Sequence, residues 1–162
     1  MKKIKKRVMA RLATAAAVVP VAMVGVSSEA SARNGEQVTW RNLASGRCLT
    51  HDASHEVSTM PQSDCSDGFK WTEHAIREDS SGQGVYRISA SGFKGDVCLD
   101  SSDAGRVYLN PCNGSNYQKW KQVKTSIGWK LTNVATGRVL DSSDGGKVYT
   151  KPDNGGRYQR WT

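Results

Sequence analysis

The apolar residues of this chain follow two unlike patterns. From Leu12 to Val26 they form one continuous alanine-rich run, "LATAAAVVPVAMVGV". Beyond residue 33 they come in short bursts such as "VTW", "VYRI", "WKLTN" and "KVYT". These bursts are rich in β-branched and aromatic residues, and clusters of Gly, Asp, Ser and Asn separate them. They predict short β-strands joined by turns. No stretch beyond residue 33 sustains helical spacing.

The bursts repeat. "VLDSSDGGKVYTKPDNGGRYQRW" (Val139 to Trp161) aligns without a gap on "CLDSSDAGRVYLNPCNGSNYQKW" (Cys98 to Trp120), with agreement at 14 of 23 positions. A poorer copy lies upstream. "NLASGRCLT" (Asn42 to Thr50) matches "NVATGRVLD" (Asn133 to Asp141) at Asn, Ala, Gly, Arg and Leu, and runs on to Cys65 and to "FKW". Three units of roughly 40 residues, about 38–75, 84–123 and 127–162, each close on a tryptophan: Trp71, Trp120 and Trp161. Three equal units of short strands predict one all-β domain over 33–162, closed with threefold symmetry as a β-trefoil. A solenoid would leave open ends, and no segment is spare to cap them.

The first apolar run has a different meaning. A basic segment from Lys2 to Arg11 precedes it, and Ala30-Ser31-Ala32 follows. This is the form of a signal peptide over 1–32, cleaved after Ala32. The run is too short for a comfortable membrane span. A secreted monomer with no stable membrane insertion is expected. Removing the leader lowers the formal net charge from +8 to +3, on 17 Lys/Arg and 14 Asp/Glu, which leaves no electrostatic footprint for nucleic acid. All four cysteines follow the leader, and an even count in a secreted chain implies disulfides. The repeat selects Cys48–Cys65 and Cys98–Cys112, one pair within each unit. Zinc is the rival reading, but there is no C-x-x-C pair.

Some repeated residues are core and turn. Leu99, Leu140, Val107, Val148, Trp120 and Trp161 suit the interior, and Gly105, Gly146, Gly114 and Gly155 suit turns. Asp100/Asp141 and Tyr108/Tyr149 do not fit that account. If Val107 and Leu109 point inward, Tyr108 and Asn110 point outward. An Asp beside a Tyr suits a sugar, because a carboxylate accepts two hydroxyl hydrogen bonds and a tyrosine ring covers the C–H side of a pyranose. Asn113 and Asn154 can donate and accept in the same place. Asp103 and Asp144 are assigned to the "DSSD" turns. Gln118 and Gln159 are given backbone bonding within each unit first and ligand contact second.

The Q-x-W that closes the units, with C-L-D near the start, resembles the ricin-type β-trefoil lectins. The third unit is most similar to the actinohivin-like high-mannose lectins among them, whose repeats read N-x-x-T-G-R-x-L-D-S…G-x-V-Y-T-L-P-x-N-G-G-x-Y-Q-x-W. The resemblance covers all of 33–162, strongly in units two and three. It implies a sugar pocket in each intact unit, formed by Asp100, Tyr108, Asn113 and Tyr117 and by Asp141, Tyr149, Asn154 and Tyr158. It implies mannose-type glycans or glycoproteins as partners, with no cofactor. The family's Leu beside the sugar is Asn110 here and Lys151 in the other copy, which admits a different sugar, an acidic one at Lys151. Unit one has Thr50 for the Asp and Pro61 for the Tyr and lacks Y-Q, so it is expected to be structural. In unit three, Val139 and Asp153 replace the disulfide, leaving that lobe to packing alone.

Catalysis is not expected. Asp100 and Asp141 are equivalent residues of different lobes, whereas glycoside hydrolysis needs two carboxylates across one bond. There is no G-x-S-x-G. His51 and His55 in "THDASHEV" are read as loop residues rather than a metal pair. The competing function is a secreted β-trefoil protease inhibitor acting through an exposed loop, with residues 51–64 and 78–84 as candidates. An inhibitor has no use for the Asp/Tyr/Asn/Tyr set kept twice.

Overall fold

The computed structural model describes residues 34–63, 65 and 70–162. The expected leader, and residues 66–69 where unit one was read to lack its Y-Q, lie outside the described residues. The strands are β1 (Asn34–Val38), β2 (Cys48–His51), β3 (Val57–Met60), β4 (Trp71–Glu78), β5 (Gly84–Ala90), β6 (Val97–Ser101), β7 (Val107–Pro111), β8 (Lys119–Thr125), β9 (Gly128–Asn133), β10 (Val139–Ser142) and β11 (Val148–Lys151). Single 3₁₀ turns cover Asn116–Gln118 and Arg157–Gln159.

Hairpins β2–β3, β6–β7 and β10–β11 share one register, with Leu49 opposite Thr59, Leu99 opposite Leu109 and Leu140 opposite Thr150. Strands β1, β4, β5, β8 and β9 pair antiparallel in that order. The chain's last residues then close the ring. Trp161 exchanges backbone bonds with Trp129 (2.7 and 2.9 Å), and Thr162 does so with Arg41 (2.8 and 2.9 Å). A barrel capped by three hairpins results: the β-trefoil that the repeat predicts.

Each unit contributes the same core set. Leu49, Leu99 and Leu140 are fully buried, as are Trp71, Trp120 and Trp161, and Val57, Val107 and Val148 lie just outside them. Each indole N–H donates to the hairpin leucine carbonyl of its own unit: Trp71 to Leu49 (3.2 Å), Trp120 to Leu99 (2.9 Å) and Trp161 to Leu140 (3.2 Å). Burying one such ring stabilises by at most about 4–6 kcal/mol. The polar handle must be satisfied to keep that gain, and the leucine carbonyl satisfies it.

At the pseudo-threefold axis the hairpin turns form a cycle. Leu109 N donates to His55 O (2.9 Å), Thr150 N to Gly105 O (2.8 Å) and Thr59 N to Gly146 O (2.8 Å). The turn residue is left-handed in all three units, with φ of 71°, 84° and 88° for His55, Gly105 and Gly146. A Cβ on Gly105 would stand 2.5 Å from Thr150 O. His55 holds this strained position in unit one, with its ring against Phe93 (4.9 Å between centroids). His51 packs on Phe93 and Trp71 as well. These histidines therefore flank a hairpin turn and its aromatic cluster.

Both disulfides are present, Cys48–Cys65 and Cys98–Cys112, with Cα separations of 5.5 and 5.1 Å. Four sequence expectations need correction. Residues 51–60 are a regular hairpin rather than a loose loop, because β3 pairs with β2. Residues 78–84 form a tight turn, held by Asp79 Oδ1 accepting from Ser81 N (2.9 Å) and Gln83 N (3.0 Å). The residue opposite Thr50 is Ser58, not Pro61, because the register is fixed from the turn. Finally, unit three is not left to packing alone: Asp153, in the place of a cysteine, pairs with Lys130 (2.8 Å) and Arg160 (3.5 Å).

Two predictions follow from the turn cycle and the histidine cluster. Gly105→Ala should lower stability by more than about 1 kcal/mol, read as an earlier urea midpoint. Burial, above all, holds the His51 ring below its ordinary 6.5, and the His74 ring shifts the same way for the same cause. The stability tied to the neutral rings is fully present above pH 6.5. It is lost as the pH falls from there through the folded-state values, because the unfolded chain takes up protons first. A melting series from pH 8 to 5 should show this decline, and His51→Phe should reduce it.

Candidate functional site

The hairpin register sets Asp100 on β6 directly opposite Tyr108 on β7, and Asp141 on β10 opposite Tyr149 on β11. Val107 and Leu109 are buried as the alternation requires, while Tyr108 and Asn110 are half-buried on the outer face. The aspartates depart from the solvent-facing placement that their alternation predicts. Asp100 is 3% exposed and Asp141 4%. The chain after each hairpin folds back over them, and the Q-x-W glutamine secures that fold.

Gln118, itself fully buried, donates from Nε2 to Asp100 Oδ2 (3.0 Å) and to Pro111 O (3.0 Å), and accepts from Asn113 N at 2.8 Å. Gln159 repeats this with Asp141 Oδ2 (3.0 Å), Pro152 O (3.0 Å) and Asn154 N (2.9 Å). One buried amide thus joins the aspartate to the loop that carries the asparagine. Asn113 Oδ1 then accepts from Ser115 N (2.9 Å) and Asn154 Oδ1 from Gly156 N (2.8 Å), so each asparagine braces its own turn.

Neighbouring units brace the 3₁₀ turns. Asn133 donates from Nδ2 to Tyr117 O and Asn42 donates to Tyr158 O, both at 2.7 Å. Sequence reasoning gave these asparagines no role at the site, although the N-x-x-T-G-R motif contains them. It also kept Asp103 and Asp144 for the turns alone. The Tyr117 hydroxyl donates to both Asp103 oxygens (3.0 and 3.1 Å), and this bond pushes the phenol up. A hydrogen bond to Asp144 pushes Tyr158 up in the same way. Burial raises Tyr108, with the Asp100 charge adding to it.

In unit two these residues enclose a depression of about 330 Å³ lined by Asp100, Asp103, Tyr108, Asn110, Asn113 and Tyr117. Asn110 Nδ2 donates to Asp100 Oδ2 at 3.3 Å. The second carboxylate oxygen, Asp100 Oδ1, is buried with no protein partner. In unit three Lys151 replaces Asn110. Its Nζ lies 4.7 Å from the Tyr149 ring centroid, and the Tyr149 hydroxyl is tied to Ser142 O at 3.3 Å. Arg106 approaches Tyr108 at 5.3 Å, but from just before the start of β7, the end of the strand away from Asn110. Unit one has Thr50 and Ser58 at the paired positions.

The arrangement offers hydroxyl acceptors, amide donors and flat rings around an open depression. The model of the ricin-type beta-trefoil lectin domain family matches residues 36–161. Among solved structures, the designed threefold-symmetric protein ThreeFoil is similar at 24% identity and a TM-score of 0.63, over 77% of this chain and 95% of its own. SeviL, solved with asialo-GM1 saccharide, is similar at 14% identity and a TM-score of 0.61, over 79% and 95%. A Polyporus squamosus lectin, solved with the epitope Neu5Aca2-6Galb1-4GlcNAc, gives 18% and 0.61, over 80% of this chain and 48% of the lectin. At these identities the likeness establishes the fold. No curated protein matches the chain.

The buried aspartates yield a stability prediction. Burial raises Asp141, and this outweighs the Gln159 hydrogen bond and the Lys151 charge. A carboxyl whose folded-state value is raised stabilises below its ordinary 3.8 and loses that contribution as the pH rises through the folded-state value. At pH 7 the charge therefore costs stability. Asp141→Asn keeps an acceptor for Gln159 and should unfold at a higher urea concentration than the parent at pH 7, with the gap closing by pH 3.5.

Proposed function

The chain belongs to the ricin-type β-trefoil lectin domain family, and from that premise we propose that it is a secreted, non-catalytic lectin for mannose-type glycans. The observation that carries the reading is Asp100, which lines the unit-two depression and whose Oδ1 is buried without a protein partner. An unmet buried acceptor costs on the order of 1–3 kcal/mol. A sugar hydroxyl entering the depression supplies the missing donor, and the bond is charge-assisted. Tyr108 covers an apolar face of the ring, and Asn113 and Tyr117 reach the remaining hydroxyls. Such a pocket is made for a neutral, hydroxyl-rich ring. Mannose is favoured by the likeness of the repeats to the actinohivin pattern.

The two pockets are unequal in this reading. The unit-two pocket binds first. Asn110 replaces the family's leucine there without closing the depression, since its amide is spent on Asp100. In unit three Lys151 lies on the Tyr149 ring and must swing away before a sugar stacks. Two pockets on one rigid body still raise apparent affinity for clustered glycans by linkage. Unit one serves as scaffold.

A glycan array followed by calorimetry tests this. High-mannose glycans should be bound. Asp100→Asn should weaken binding by roughly tenfold, because a charge-assisted bond is lost. Asp141→Asn should weaken it less, and the double variant should abolish it with an unchanged β-sheet circular dichroism spectrum. Binding retained by a folded double variant would place the site elsewhere. A blank array would displace the lectin reading in favour of protease inhibition.

A further inference from the structure

Beside the unit-two depression, two cationic side chains and a histidine stand in a row on the outer face of the barrel. His74 on β4 pairs with Arg87 on β5, and Arg87 pairs with Lys119 on β8. Directly opposed residues share a face with their Cβ atoms about 5 Å apart, and the like charges of Arg87 and Lys119 so placed repel. None of the three has an ion-pair partner among the described residues. Lys119 Nζ donates to the neutral Asn116 Oδ1 (3.0 Å), and His74 Nε2 meets Ser89 Oγ (3.1 Å). Arg87 Nε is buried and unpartnered. Asp96 is the acid whose charge reaches His74. The row borders a depression of about 260 Å³ to which no carboxylate contributes.

Unit three shows what such a row holds. Trp129 pairs with Trp161 as Tyr86 pairs with Trp120, which sets Lys130 opposite Arg160 as Arg87 stands opposite Lys119. There Asp153 bridges the two cations, 2.8 Å from Lys130 and 3.5 Å from Arg160. Asp153 aligns with Cys112 of unit two, which is committed to the disulfide with Cys98. Unit two therefore has the cations of this arrangement without its carboxylate.

We propose that the His74–Arg87–Lys119 row is an oxyanion subsite, which takes a sulfate, phosphate or carboxylate substituent of the glycan whose ring occupies the Asp100 pocket. Ser115 borders both depressions, so a single ligand reaches from one to the other. The external anion takes the charge-neutralising role that Asp153 has in unit three. The glycan part of this proposal rests on the lectin reading, whereas the anion site itself does not.

The test compares the parent chain with Arg87→Gln/Lys119→Gln. Both substituted residues lie outside the sugar pocket. By calorimetry, a 6-sulfated mannose oligosaccharide should bind the parent roughly tenfold or more tightly than the unsubstituted sugar. The double variant should bind both at the unsubstituted level and should melt no lower than the parent, since repulsion has been removed. In parallel, backbone amide NMR with inorganic sulfate exchanged for chloride at fixed ionic strength should shift the signals of residues 74, 87 and 119 in the parent only. That second readout decides the anion site even if neither sugar binds, an outcome that would sink the lectin reading alone. Equal binding of the two sugars by the parent, or a sulfate advantage that survives in the variant, would overturn the glycan-substituent role. Absence of the site-specific sulfate shifts would overturn the subsite altogether.

Discussion

Three backbone hydrogen bonds, each from a strand of one unit to the turn carbonyl of another, bind the hairpins into a closed ring. Everything built on the hairpins inherits that geometry. The ring requires the turn residue to be left-handed, which explains glycine at 105 and 146. It also requires equal hairpin lengths, and these bring each Asp opposite its Tyr. Unit one obeys the same constraint although Thr50 and Ser58 have replaced the polar pair. Its His55 accepts the strained conformation rather than break the cycle. The cycle is therefore a demand of the fold and the Asp/Tyr pair is not, which separates scaffold from site by physical role.

The Q-x-W motif divides along the same line. Its tryptophan fills the core and satisfies its N–H on a leucine carbonyl. Its glutamine, two residues earlier, draws the preceding loop over the aspartate and fixes the asparagine's backbone. A surface residue becomes a buried one without any change of strand register. The cost of hiding a carboxylate is offset only in part by the glutamine, and Asp141 shows the imbalance in its raised affinity for a proton.

The sequence made the fold legible because the repeat is long and its strands are short, so period and alternation agree. It also made the opposed Asp and Tyr legible, since alternation and hairpin register are local. Burial of the aspartates was not legible. It depends on a segment some ten to twenty residues further along folding back, which no alternation encodes. The same holds for Asp103 beneath Tyr117, a contact that joins the hairpin turn of unit two to its later 3₁₀ turn, and for Asn133 holding the preceding unit's turn, a contact across repeats. Asp153 was misjudged because a cysteine position was expected to be replaced by nothing, when an ion pair now spans it.

The closure of the barrel governs the order in which this chain acquires structure. Asn42 bonds to Tyr158 across 116 residues, and Thr162 pairs with Arg41. Those contacts do not exist until residues 158–162 are present. During synthesis the first two units must wait with an open barrel edge and with a shared core that still lacks Trp161. Long-range closure of this kind makes for slow folding and for a period in which pairing with another chain competes with the native ring. The intra-unit disulfides act early in that interval, since each joins residues within a single repeat and can form before the ring is complete.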